Sequence, residues 1–251
     1  MELFELAEGD RVVFLGDTFI EQEQYSGWIE LMMTTAFPDR HVTFRNLGWS
    51  ADTPAGDSRF GLSLLQAGRE PDDEGWKQLL NQLELTDPTV VVFGYGMASS
   101  LEEGMAGVDT FTQEYEKLVE SISAMFPEVR CVFLSPLSRT DKPSQKSDAH
   151  RQALRAYSDV IASLAASKKS VFIDLSAVAV RPEERKNPIH LNDNGYRTVA
   201  IEIGKKLGYS EAWQSNPNTE RLRSVILQKN TWWIHRSRPA NMAYVFGFRK
   251  R

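Results

Sequence analysis

The sequence predicts a doubly wound α/β fold, in which helices cover both faces of a parallel sheet. Five short apolar segments are rich in Val and Phe and bounded by turn residues: 11–15, 42–46, 90–93, 129–134 and 170–175. Such segments are typical of strands that are buried on both faces. Stretches with helical spacing separate them, and this alternation favours right-handed crossovers within one sheet. A length of 251 residues, 41% of them hydrophobic, suffices for one such domain.

Each predicted helix has apolar residues that recur every three or four positions. In residues 111–125 they are Phe111, Tyr115, Leu118, Ile122 and Met125, which form one face. Asn192-Asp193-Asn194 supplies a cap for the helix that begins at Gly195. The predicted helices are 27–36, 75–85, 111–125, 149–166, 195–207 and 220–229.

The alternation of strands and helices stops after about Gly208. We therefore expect an α/β domain at residues 1–208 and a C-terminal extension at 209–251 that packs on or near it. The extension contains a helix and an aromatic, basic tail, and residues 221–251 carry eight Lys or Arg and no acid. Two interpretations stay open: the tail docks on its own acidic domain, or it binds anions.

Composition argues against several classes of protein. The net charge of −5 gives no basic footprint for nucleic acid. Zinc-ligand spacing and a phosphate-binding glycine loop are missing from the sequence, so we expect no metal and no cofactor. The amino terminus lacks the pattern of a signal peptide, and apolar runs fall short of the roughly 20 residues that span a bilayer. We expect a cytoplasmic protein without a membrane partner, and the oligomeric state is open.

The first predicted strand runs into Gly16-Asp17-Thr18, and Asn187-Pro188-Ile189-His190 follows the last strand far downstream. A hydroxyl and a histidine are the two members of a nucleophile–base pair. This order of elements resembles the SGNH hydrolase family, part of the GDSL lipase/esterase group, over roughly residues 10–207. The resemblance implies a three-layer α/β/α sandwich of the SGNH or flavodoxin-like type. It also implies lipase or acylhydrolase chemistry on a small-molecule or carbohydrate ester.

The resemblance further implies a role for each matching residue. Thr18 takes the place of the nucleophilic serine, His190 that of the base, and Asn187 that of the aspartate that orients the base. The oxyanion positions fall on Thr18, Gly48 and Ala98, with backbone amides of Thr18 and Gly48 as donors. Further cavity residues are expected in the loops that follow the strands, where open α/β sheets bind ligands: Asp17, Tyr95, Gly96 and Ser135.

Three of these positions depart from the family pattern. Thr18 keeps a hydroxyl, but its methyl crowds the attack path, and a threonine that bonds the backbone of a turn is an alternative. Ala98 replaces an asparagine donor, and Asn187 brings an amide where a carboxylate would stabilise an imidazolium. Two hypotheses follow: a weak ester hydrolase, or an inactive protein of the same fold that binds a ligand such as a carbohydrate.

Other histidines and motifs are expected to have structural roles and no part in the site. His41, His150 and His235 are expected at the surface, and Gly56-Asp57-Ser58 is not preceded by a strand that could form a nucleophile elbow. Trp232-Trp233 is expected to pack on the domain, with stacking on sugars or bases as the alternative. The strings 238–241 and 246–250 resemble SGNH-like proteins of planctomycete bacteria.

Overall fold

A five-stranded parallel sheet forms the centre of the protein, in the order β2-β1-β3-β4-β5. The computed structural model describes residues 3–59 and 73–238. The strands are β1 (Arg11–Gly16), β2 (Thr43–Asn46), β3 (Val90–Gly94), β4 (Arg130–Leu134) and β5 (Val171–Ile173). All five predicted strands are present, and the last is shorter than predicted.

Helices connect the strands and cover the sheet. In the described ranges they are α1 (Thr18–Ser26), α2 (Trp28–Ala36), α3 (Glu74–Thr86), α4 (Met97–Glu102), α5 (Val108–Met125), α6 (Gln145–Ser167), α7 (Asp193–Leu207) and α8 (Thr219–Ser237). Single 3₁₀ turns occur at Gly104–Gly107, Pro182–Glu184 and Ala212–Ser215.

The two faces of the sheet bury separate hydrophobic cores. Val12 and Phe14 of β1 belong to a core with α2 and α7, whereas Val13 and Leu15 belong to a core with α3, α5 and α6. Adjacent residues of one strand point to opposite faces, so a strand that is apolar throughout requires a helical layer on each side. This arrangement confirms the predicted three-layer α/β/α fold.

Helices α1 and α4 were not predicted. Helix α1 begins at Thr18 because the Asp17 carboxylate accepts a hydrogen bond from the Phe19 N–H. It ends at Gly27, whose φ of 68° lies in the left-handed region, and α2 starts immediately afterwards. The predicted helix at 27–36 is therefore only the second of two helices that share one glycine.

Helix α8 lies against α1, α2 and the edge strand β2. The Trp233 indole donates to the Asn46 carbonyl at 2.8 Å, and Lys229 pairs with Glu30 at 2.7 Å. The division of the chain at residue 208 stays a prediction. Residues 239–251 lie outside the described residues, and with them three of the eight basic residues of the predicted tail and nearly all of the strings that resemble planctomycete proteins.

No helix within the two described ranges is both long enough and apolar enough to cross a membrane.

Glu23 makes the stability of this fold depend on pH. Its buried carboxylate accepts hydrogen bonds from the Ile29 N–H and the Ser26 hydroxyl, both at 2.6 Å. Burial raises the pKa of Glu23 to about 8. The folded chain therefore keeps a proton that the unfolded chain releases, and stability falls as pH rises from about 4.5 towards 8.

We expect Glu23→Gln to remove this loss of stability at high pH, because the amide keeps a hydrogen-bond donor and an acceptor in place. The fall in unfolding free energy between pH 5 and pH 9 should shrink by about 4 kcal/mol. Urea titrations at both pH values measure it, with exposed Glu116→Gln as the matched control. Parallel pH profiles for wild type and Glu23→Gln would contradict the prediction.

Candidate active site

The loops at the carboxyl ends of β1, β3 and β4 and the segment before α7 enclose a cavity of about 400 Å³. Gly16 and Gly94 are paired across β1 and β3, and a Cβ on Gly16 would lie 2.3 Å from the Gly94 carbonyl oxygen. Only glycine permits this approach, which brings the loops after the two strands together. The cavity is lined by six residues of the predicted site: Asp17, Thr18, Tyr95, Ala98, Ser135 and His190.

The other predicted site residues lie around this cavity. Asn187 borders an adjoining groove of about 240 Å³, which shares Thr18 and His190 with the cavity. Gly48 and Gly96 line neither. The Ser135 hydroxyl lies at the end of β4, where it donates to Asp174 at 3.1 Å and accepts from the Leu175 N–H at 2.8 Å.

Asp17 joins the loops that follow β1 and β3. Its Oδ1 accepts from the Phe19 N–H, and its Oδ2 accepts from the N–H groups of Met97 and Ala98, each at 3.1 Å. The side chain is fully buried, and burial raises the pKa of its carboxyl to about 6. Three backbone donors thus hold this carboxylate, so its contacts in the structure are to protein amides.

The backbone amide that faces Thr18 is that of Ala51. Its N–H donates to Thr18 Oγ1 at 3.0 Å, and Ala51 has a left-handed φ of 56°. The N–H of Gly48, predicted as an oxyanion donor, instead donates to Asn46 Oδ1 at 2.8 Å. A Cβ at position 48 would lie 2.4 Å from the Glu21 nitrogen, so this glycine permits close packing on α1. The Gly48 N–H is thus bonded within its own loop, and Ala51 supplies the backbone N–H that faces Thr18 Oγ1.

Few donors remain for an oxyanion. The Ala98 side chain is a methyl group, and its N–H is bonded to Asp17. The Thr18 N–H, in the first turn of α1, has no hydrogen-bond partner among the described residues. The Ala51 N–H is the other backbone donor beside the Thr18 hydroxyl, and it is bonded to Thr18 Oγ1 in the structure.

The amide orientation of Asn187 is fixed by the backbone. Its Oδ1 accepts from the N–H groups of Ile189 at 3.0 Å and His190 at 2.9 Å. A flipped amide would point its NH₂ group at two further donors, so the alternative assignment is unfavourable. Nδ2 therefore faces His190 Nδ1, at 2.9 Å, and donates to it.

This contact determines which nitrogen of His190 carries the proton. Burial and then the positive charge of Lys186 lower the pKa of His190, so its ring is neutral at pH 7. A neutral ring that accepts at Nδ1 carries its hydrogen on Nε2. A general base for Thr18 needs the opposite tautomer. No hydrogen bond joins Thr18 to His190 within the described part of the chain.

The prediction that His150 lies at the surface is wrong, because this residue is only 7% exposed. It forms a second serine–histidine pair, which the sequence did not predict. Its Nε2 lies 3.0 Å from Ser100 Oγ, and its Nδ1 accepts from Arg139 at 2.7 Å. His150 therefore donates to Ser100, whose own hydroxyl donates to the Met97 carbonyl. This polarity cannot activate a nucleophile, so the pair fastens α4 to α6.

A buried ion pair supports the loop that carries Ala51. Arg59 donates to Asp52 at 2.9 Å, to the Leu47 carbonyl at 2.8 Å and to Gln82 at 2.7 Å, and the side chains of Arg59 and Asp52 are 0% exposed. Burial raises the pKa of the Asp52 carboxyl despite the guanidinium. The sequence carried no signal for this pair, because both residues stand in a loop without periodicity.

Gly56-Asp57-Ser58 lies in the same loop and outside the cavity lining. The Ser58 hydroxyl donates to the Ala51 carbonyl at 2.8 Å. This motif therefore contacts the backbone that presents the Ala51 amide.

Comparisons with known proteins bear on the family and the fold. A family model described as GDSL-like Lipase/Acylhydrolase matches residues 14–198. A search of curated proteins found no match. A putative GDSL-like lipase from Parabacteroides merdae is 14% identical, with a TM-score of 0.64 over 82% of this chain and 99% of that one.

Two further solved structures share the fold. A catalytic mutant of an acetylxylan esterase from Geobacillus stearothermophilus is 16% identical, with a TM-score of 0.57 over 82% of this chain and 97% of that chain. A gut microbial diltiazem-metabolizing enzyme is 20% identical, with a TM-score of 0.58 over 81% of this chain. This chain spans about half the length of that enzyme, 48%.

Proposed function

Because this chain belongs to the GDSL-like lipase/acylhydrolase family, we propose that it hydrolyses carboxylic esters of small molecules or carbohydrates at the cavity around Thr18. The observation that supports this most is the meeting of a hydroxyl, a backbone N–H and an imidazole at one cavity. Thr18 Oγ1 lies 3.0 Å from the Ala51 nitrogen, and His190 lines the same wall.

In the proposed reaction, Thr18 Oγ attacks the ester carbonyl and its proton passes to His190 Nε2. As Thr18 Oγ bonds to the carbonyl carbon, the Ala51 N–H leaves it and joins the Thr18 N–H in holding the oxyanion. His190 returns the proton to the leaving alcohol, and a water molecule then cleaves the threonyl ester to release the acid. The proton transfer from Thr18 needs the less populated tautomer of His190, in which Nε2 carries a lone pair.

This requirement makes the proposed enzyme slow. Loss of one oxyanion donor costs about 10²–10³ in turnover, and an asparagine in place of the orienting aspartate costs about 10⁴ in a serine protease. The residues concerned act as one unit, so the two losses in rate do not multiply in full. Measurable but weak turnover is the expected outcome.

A second candidate is a ligand-binding protein of this fold without turnover. The orientation of Asn187 favours it, since Nδ2 donates to His190 and removes the base from its productive tautomer. The two candidates share one cavity and differ only in whether Thr18 Oγ is ever deprotonated.

Substitution of Thr18 separates them. We expect Thr18→Ala to reduce the hydrolysis of p-nitrophenyl acetate and butyrate to the uncatalysed rate, and Thr18→Ser to exceed wild type because it removes the crowding methyl. Thr231→Ala, at an exposed threonine of α8, is the matched control and should keep the wild-type rate. Equal rates in wild type and Thr18→Ala would reject the hydrolase.

A further inference from the structure

Thr18 and His190 each have a hydrogen to donate at the cavity, whereas a working nucleophile–base pair contains one hydrogen-bond donor and one acceptor. Thr18 Oγ1 already accepts from the Ala51 N–H, which leaves its own hydrogen free to donate. His190 accepts at Nδ1 and so carries its hydrogen at Nε2. Among the described residues, neither hydrogen has an acceptor. The ligand that suits such a pair brings acceptor oxygens.

Most of the rest of the cavity wall is apolar. Beyond Thr18 and His190 its walls consist largely of hydrocarbon side chains: Phe19, Met97, Leu101, Leu137, Ile189 and Leu191. Its volume of about 400 Å³ lies within the range of small-molecule sites. The ligand should therefore have an apolar body as well as an acceptor group at one end.

The charges around the donors are compatible with an anion. Asp17 precedes Thr18 in the chain, but its carboxylate is fully buried and satisfied by three backbone N–H groups. Glu102 lies at the exposed rim, and Lys186 borders the adjoining groove. The first turn of α1 also favours negative charge next to Thr18. Hydrogen bonds to a carboxylate are about twice as strong as those to a neutral carbonyl.

We propose that this cavity binds the carboxylate of an apolar monocarboxylic acid, with Thr18 Oγ and His190 Nε2 as its donors. This inference rests on the proposed function, which identifies the site. It adds that the site binds the acid half of the ester. The same asparagine that weakens the base thus strengthens the site for the acid. An ester whose acid half fits would be cleaved slowly, and its acid would be retained.

The test uses calorimetric titration of the full chain with sodium octanoate and with 1-octanol, at about pH 8.5, where a histidine is neutral. Octanoate should bind at least tenfold more tightly than 1-octanol. Asn187→Asp should weaken octanoate binding about tenfold, because the new carboxylate moves the ring hydrogen to Nδ1 and turns Nε2 into an acceptor. Asn194→Asp, at an exposed residue of α7, adds the same charge and should leave the affinity unchanged.

Thr18→Val tests the second donor without relying on Asn187, since it removes the hydroxyl and keeps the shape. It should also weaken octanoate binding, with thermal unfolding as the check that both variants fold. The inference is overturned if octanoate does not bind wild type, if 1-octanol binds equally well, or if neither variant weakens binding. Octanoate binding without any ester hydrolysis would reject the proposed function alone, and hydrolysis without octanoate binding would reject this inference alone.

Discussion

Asn187→Asp is expected to raise kcat for ester hydrolysis by about 10²-fold or more. The substituted carboxylate would accept the two backbone N–H groups that Asn187 Oδ1 now accepts, at 3.0 and 2.9 Å. Its second oxygen would then face His190 Nδ1 as an acceptor in place of a donor. The ring hydrogen moves to Nδ1, and Nε2 gains the lone pair that a general base requires.

Steady-state kinetics with p-nitrophenyl butyrate measure this gain, and nitrogen NMR of His190 reports the tautomer directly. Wild type should carry its hydrogen on Nε2, and Asn187→Asp should carry it on Nδ1 with a raised pKa for the imidazole. Asn194→Asp is again the matched control and should keep the wild-type rate. A changed tautomer without any gain in rate would show that the base does not limit turnover.

Arg59→Met is expected to lower the unfolding free energy by about 3–5 kcal/mol, because it leaves the Asp52 carboxylate buried without its partner. Both side chains are 0% exposed, and Arg59 also donates to the Leu47 carbonyl and Gln82. This cost is a large part of the stability of about 5–15 kcal/mol that a domain usually has.

Urea titration measures this loss. Arg11→Met is the matched control, since Arg11 pairs with Asp87 at 3.0 Å with both side chains well exposed, and it should cost less than about 1 kcal/mol. The double variant Arg59→Met, Asp52→Asn should recover part of the loss, because it removes the buried charge. Similar losses for Arg59→Met and Arg11→Met would contradict the structural role given to the buried pair.

The strands could be predicted because a strand buried on both faces leaves a continuous apolar run. Helix α1 could not: its buried residues include Glu23, Gln24 and Ser26, so its inner face lacks an apolar repeat. The burial of His150 was not predictable for a related reason, since polar groups become buried through partners that lie far away in the sequence.

The candidate site was predictable in its place and only partly in its detail. Thr18 and His190 follow from the loops after the first and last strands. The contact of the Ala51 N–H with Thr18 was not predictable, because a left-handed alanine depends on contacts that no local pattern encodes. Asn187 was recognised as a departure, but the direction of its hydrogen bond depends on backbone groups that only a folded loop brings together.

The contacts of α8 and of Arg238, the residue that follows it, also bear on how the protein is made. Arg238 pairs with Glu21 at 2.7 Å and donates to the carbonyl of Gly48, a residue 190 positions earlier. A ribosome releases the amino-terminal part of a chain first, so β2 and the loop after it emerge long before α8 does. Until α8 arrives, β2 is an uncovered sheet edge, the kind of surface on which nascent chains pair with one another. The loop that presents Ala51 to Thr18 therefore gains its contact with Arg238 only after 190 further residues have been made.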